Sequence, residues 1–94
     1  MSEVVTKAVQ KLGEKIDSFD SVAKFVITGE GAIMIDAGGV RAGDEPADVT
    51  LTASADVFRA ILEGDMNPTT AFMTGKLSLD GSMGMAMKLG SLLA

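Results

Sequence analysis

The sequence predicts an α+β fold, an antiparallel-rich sheet with helices packed on one face. Apolar residues recur at three- and four-residue steps near both ends, they alternate at every second position in residues 22–28 and 48–53, and Gly and Pro punctuate the changes of period. Strands spaced for hairpins and followed by segregated helices, in place of a strict strand-helix alternation, point to α+β. Ninety-four residues, 47% of them hydrophobic, suffice for a single domain over 1–94 and leave too little chain for a second core.

Val4, Val5, Ala8, Val9, Leu12 and Ile16 set one apolar stripe along a helix over roughly residues 3–17. Ala23, Phe25 and Ile27 alternate with Lys24, Val26 and Thr28, a strand with one face inward. Gly29-Glu30-Gly31 turns the chain into a partner strand over 33–36. Residues 37–46, with Gly38, Gly39 and Gly43, read as a loop in which Val40 can anchor at most a short strand. Residues 48–53 alternate again, with Val49 and Leu51 on one side.

Ser54 is placed to cap a helix that carries Asp56 in its first turn and Phe58, Ile61 and Leu62 on one face, ending at Gly64. Asn67-Pro68 opens a second short helix with Ala71, Phe72 and Met73, stopped by Gly75. Residues 76–80 form a strand, and Gly81-Ser82 leads into a last helix from Met83.

The composition removes most chemistries. With no His and no Cys there is no imidazole base, no thiol nucleophile, no disulfide and neither of the ligands that zinc and copper favour; no metal site and no cofactor is expected. No Tyr, no Trp and only four Phe leave no stacking platform for bases or sugars. A net charge of −5 without a basic run argues against nucleic acid as a partner. Met1-Ser2-Glu3 opens straight into an amphipathic pattern with no signal peptide, and no apolar run nears the ~20 residues of a spanning helix, so a cytoplasmic protein is expected.

Lys7, Lys11 and Lys15 form a row of like charge on the first helix. The plain reading is a solvated row; the alternative is transient contact with an anionic membrane surface, since a lysine stripe beside an apolar face is how interfacial helices bind. Residues 1–28 are neutral overall, four Lys against four acids, whereas 29–94 carry four basic and nine acidic residues.

Asp44, Glu45 and Asp48 are the candidate for carboxylate catalysis or an oxygen-ligated cation. Clusters of this kind are more often solvated loops, and the ligand spacing of an EF-hand is absent. Gly29-Glu30-Gly31 fails the dinucleotide pattern at Met34, and Gly75-Lys76 fails the phosphate-loop pattern at Thr70 and Leu77. No catalytic residue is expected. The positive signal is methionine: seven residues, with Met83, Met85 and Met87 opening the last helix. Flexible, polarizable thioethers fill cores, but they also suit loose binding of apolar partners. Met83 and Met87 share a face and Met85 points elsewhere, a wider apolar surface than one sheet face requires. The surplus is expected to meet a ligand, a subunit or a membrane.

The run Gly64-Asp65-Met66-Asn67-Pro68-Thr69-Thr70-Ala71-Phe72-Met73-Thr74-Gly75-Lys76-Leu77, followed by Gly81-Ser82-Met83-Gly84-Met85-Ala86-Met87-Lys88-Leu89, resembles the sterol carrier protein 2 family. Asn-Pro with Ala-Phe, Gly-Lys-Leu, and Gly-x-Met with Ala-x-Lys-Leu stand in the family's order, and Ala47-Asp48-Val49-Thr50-Leu51-Thr52 resembles its preceding strand. The resemblance implies a five-stranded sheet with helices on one face, enclosing a hydrophobic tunnel for a sterol, fatty acid or fatty acyl-CoA, without chemistry. By the same resemblance the tunnel is lined by Phe58, Ile61, Leu62, Phe72, Met73, Leu77, Leu79, Met83 and Met87. Peroxisomal carriers of the family extend past the last helix to a targeting tripeptide. This sequence stops at Leu92-Leu93-Ala94, so a tunnel wall supplied by that extension is expected to be missing. The expected activity is therefore lipid binding and transfer, with a structural, dimerisation or accessory module for a lipid-metabolising enzyme as the alternative, and with either a monomer or a homodimer compatible.

Overall fold

The computed structural model describes residues 3–93; the readings made at Met1-Ser2 and at Ala94 lie outside the described residues. The chain runs α1 (Glu3–Lys15), β1 (Ala23–Ile27), β2 (Gly31–Asp36), β3 (Gly39–Ala42), β4 (Val49–Ala53), α2 (Ala55–Leu62), α3 (Pro68–Met73), β5 (Leu77–Gly81) and α4 (Met83–Leu93). The α+β class and the five strands match the expectation.

Helix α1 forms because Val5, Ala8 and Leu12 fall one turn apart and bury together, with Glu3 in the first turn and Lys15 in the last, both favourable to the helix dipole. It lies across β2 and β3. The five strands order as β3-β2-β1-β4-β5. One face gathers the alternating apolar residues: Phe25 pairs with Ile33 on β2 and Leu51 on β4, and Leu51 in turn with Leu79 on β5. These residues join Val5, Leu12, Phe58, Ile61, Ala71, Ala86 and Leu89 of the four helices in one core, so all the helices pack on that face. Among the described residues no polar or charged side chain is buried.

The structure departs from the sequence reading in two places. Residues 39–42, read as loop-like with room for a short strand at Val40, form an edge strand antiparallel to β2 in the register Ile35↔Val40 and Ile33↔Ala42. Local glycine content argues against a strand, but Val40 and Ala42 reach the inward face beneath α1, and that cover overrides propensity. The turn before it is built for the purpose, since the Gly38 N–H donates to Asp36 Oδ1 at 2.9 Å and Gly39 takes φ +111°.

The second departure is a parallel β1–β4 pair inside an otherwise antiparallel sheet. Strand β4 runs in the same direction as β3 with β2 and β1 between them, so residues 43–48 must return to the end of the sheet where β3 began, and they do so across the face away from the helices. A six-residue segment can span about 20 Å, enough to cross. Its passage is marked by Asp44 Oδ1 bonded to Lys24 Nζ at 2.8 Å and by Arg41 bridging Asp36 (2.8 Å) and Glu45 (3.3 Å). Met34, which pairs in register with Lys24 and Arg41, is fully buried under this crossing although it belongs to the outer face.

Candidate functional site: an apolar cleft between sheet and helices

Helices α2 and α3 leave β4 and return at β5, and α4 then folds back beside them, against β4, β5 and α3. Their caps set the geometry. Ser54 Oγ accepts from the Val57 N–H at 3.3 Å, Asn67 Oδ1 accepts from the Thr69 and Thr70 N–H groups at 2.8 and 3.4 Å, and Ser82 Oγ accepts from the Met85 N–H at 3.3 Å. Pro68 at the first helical position of α3 gives up no bonded N–H.

Between these elements and the sheet lies an open cleft of about 240 Å³. Its floor is Phe25, Leu51, Leu77 and Leu79; Ile61, Phe72 and Met73 form one wall and Met83, Ala86, Met87 and Gly90 the other, with Pro68 and Thr69 at one end. No charged side chain lines it, and Thr69 brings the one side-chain hydroxyl. Such a lining cannot hold an ion or move a proton. It can exclude water from hydrocarbon.

Seven of the nine residues expected at a ligand site come together here: Ile61, Phe72, Met73, Leu77, Leu79, Met83 and Met87. Phe58 and Leu62, from the same face of α2 as Ile61, turn toward α1 instead. There they line a second groove, of about 430 Å³, whose floor is Val4, Ala8, Phe58 and Leu62. Phe58 still bears on the cleft from behind, because its ring packs on that of Phe25 at a centroid distance of 4.2 Å and a tilt of 58°. The second groove is larger, and five of its ten lining residues, Glu3, Lys7, Lys11, Arg59 and Glu63, carry a charge, whereas none that lines the cleft does.

Phe25, Leu51, Ala86 and Gly90 were not expected at the site. The last two follow from helical spacing, since Ala86 and Gly90 lie three and seven residues after Met83 and so on its face. Phe25 and Leu51 had only strand alternation to mark them, which says inward and not what lies above them.

The candidate carboxylates do not converge. Asp44 binds Lys24, Glu45 binds Arg41, and Asp48 Oδ2 accepts from the Val22 N–H at 3.1 Å, so each holds the crossing segment in place. Gly29 and Gly31 form the hairpin turn with φ of +78° and +147°. Among the described residues no group of acids is arranged to hold a metal ion, and no helix is long and apolar enough to cross a membrane. Lys7, Lys11 and Lys15 are exposed on α1, Lys7 at 3.4 Å from Glu3.

Two carboxyls are held below the usual carboxylate range. Asp20, before β1, accepts a hydrogen bond from the Lys88 ammonium of α4, and Asp36 accepts from the Arg41 guanidinium and the Gly38 N–H. The first pair ties the helix that walls the cleft to the segment that leads into β1.

The whole is a small α+β domain in which a mixed five-stranded sheet carries its helices on one face, with an uncharged apolar cleft between the two layers. The chain belongs to the SCP-2 sterol transfer family, whose sequence model matches residues 3–94. It is 36% identical over 89 residues to hydroxysteroid dehydrogenase-like protein 2 of Danio rerio, covering 86% of this chain and 21% of that protein. It is 42% identical over 67 residues to sterol carrier protein 2 of Gallus gallus, covering 71% of this chain and 11% of that one. The chain thus spans about a fifth or less of the length of these curated relatives. Among solved structures, a sterol carrier protein domain 2 of Helicoverpa armigera shares 32% identity with a TM-score of 0.74, over 96% of this chain and 85% of that one. Sterol Carrier Protein 2 from Aedes aegypti, solved with palmitate, superposes with a TM-score of 0.80 at 23% identity, over 100% of this chain and 97% of that one.

Proposed function

We propose that the protein binds a lipid in the cleft between α3, α4 and the sheet and hands it on without chemical change. The observation that carries this is the cleft's lining, which is apolar, uncharged and open to solvent. Burial of alkyl groups against it contributes about 0.8 kcal/mol per CH₂, with no partner for a charged head, so the head group stays at the mouth and selectivity among chains is loose. At about 240 Å³ the cleft is smaller than the ~300–1,000 Å³ usual for small-molecule pockets. A sterol or a long acyl chain would then project past the rim or spread the Met side chains, whose three rotatable bonds allow it. The same fold holds palmitate in the Aedes protein, which supports an acyl chain as one ligand.

The test is titration with a fluorescent long-chain fatty acid and a fluorescent sterol. Saturable binding is expected, and Phe72→Asp or Met87→Asp, both at solvent-accessible wall positions, should weaken it about tenfold or more while the fold persists, because a carboxylate in the wall must be desolvated. Absence of saturable binding by any lipid would overturn the reading.

A second reading is favoured by one observation. Phe72, Met73, Met83 and Met87 are exposed around the mouth, a surface that a second copy or a lipid-metabolising partner could cover. Sizing across protein concentration separates it from the first: a dimer that closes the mouth would lose probe binding as it forms. Membrane contact through Lys7, Lys11 and Lys15 is a further element of the proposal, supported by their exposure on α1, and should appear as salt-sensitive binding to anionic vesicles.

A further inference from the structure

Without Cys, His, Tyr or Trp, the chain offers a mild two-electron oxidant little besides thioether sulfur. The fold then divides the six methionines among the described residues. Met34 is 0% exposed beneath the 43–48 crossing, and Met66 and Met85 are half-buried against the core. Met73, Met87 and Met83 are 78%, 66% and 48% exposed. These three come from two helices, α3 and α4, yet all line the same cleft.

We propose that Met73, Met83 and Met87 form an oxidation site at the mouth of the cleft, where conversion to sulfoxide by a peroxide expels a bound lipid. Each step is a two-electron transfer: the sulfur lone pair attacks one oxygen of the peroxide, the S–O bond forms as the O–O bond breaks, the other oxygen leaves as water from hydrogen peroxide or as an alcohol from an organic hydroperoxide, and the C–S bonds stay intact. The product is a strongly hydrated S–O group on a side chain that had been apolar. The cleft has no charged side chain and only the Thr69 hydroxyl to bond it, so a lipid chain entering past three sulfoxides must strip their water without replacement. The lesion is reversible by methionine sulfoxide reductases, so the site works as a switch and not merely as damage. This inference rests on the lipid-binding reading.

The experiment treats the protein with graded hydrogen peroxide, maps sulfoxides by peptide mass spectrometry and titrates a fluorescent long-chain fatty acid at each stage. Met73, Met87 and Met83 should be modified ahead of Met85, Met66 and Met34. Affinity should fall about tenfold in step with them, as desolvating polar groups at the mouth requires, and recover after treatment with the reductases. In the triple variant Met73→Leu, Met83→Leu, Met87→Leu the ratio of affinities before and after peroxide should stay within about twofold, whatever its starting value. If that variant fails to fold, dose dependence and recovery in the natural sequence decide alone. Early oxidation of Met34, Met66 or Met85, or full affinity with all three mouth sulfoxides in place, would overturn the inference and leave the lipid reading standing. Failure of the untreated protein to bind the probe overturns both, and is seen before any peroxide is added.

Discussion

Gly81 shows how a single residue can be dictated by a neighbour far away in sequence. It ends β5 opposite Val49 with φ +110°, and a Cβ there would sit 2.3 Å from the Asp48 carbonyl oxygen. Backbone on both sides prevents relief, so Gly81→Ala should cost about 2 kcal/mol or more, read as a lower urea midpoint at unchanged m. Phe58 is a contrasting case. It was expected at a ligand and is instead 2% exposed behind Phe25, so Phe58→Ala should cost about 3–5 kcal/mol in stability before it has any separable effect on binding. Residue identity alone did not separate wall from support: Phe58, Ile61 and Leu62 share a helix face, and only the position of α1 sends two of them away from the cleft.

Among the elements, α3 depends most on its ends. Six residues are far below the ~12–15 at which an isolated helix begins to hold, so its shape comes from the Asn67 cap, from Pro68, and from closing bonds such as Lys76 N–H to Ala71 O at 2.8 Å. Asn67→Ala should cost about 1 kcal/mol and also loosen the wall carrying Phe72 and Met73. We expect a faster probe off-rate in that variant than in Ser54→Ala, which removes a comparable cap from α2, most of whose buried face lies outside the cleft. Strand β3 teaches the reverse lesson. Gly39 and the flanking Gly38 and Gly43 read as loop, and nothing local marks it as strand except Val40; packing beneath α1 decides it.

At the scale of the molecule, charge and ligand both report on the assembled fold. Asp20 and Asp36 have their carboxyls lowered by Lys88 and Arg41, so the folded state favours the ionised form. Their contribution is therefore complete above the unfolded carboxylate pKa, near pH 4, and is lost as pH falls through the lower folded value. A urea midpoint followed downward from about pH 6 should begin to drop near pH 4, and Lys88→Met should lower the plateau and shrink the drop, with both partners exposed and the effect correspondingly small. A cleft that binds lipid must also stabilise the fold, by about 2.7 kcal/mol at a hundredfold excess over Kd, which a domain of this size reports as a Tm rise of roughly 10 °C or more.

Periodicity was enough to determine the α+β class, most of the element boundaries and the caps at Ser54 and Asn67, because these follow from patterns within a few residues, and composition alone excluded imidazole and thiol chemistry, because the chain has neither His nor Cys. The spaced motifs from Asn67 to Leu89 were enough to suggest the family. The parallel β1–β4 pair, the strand at 39–42, the burial of Met34 on the outer face, and the division of Phe58 and Leu62 from Ile61 were settled only in three dimensions. Each depends on which element covers which face, and that is a property of packing between segments distant in the chain, to which local period and propensity carry no signal.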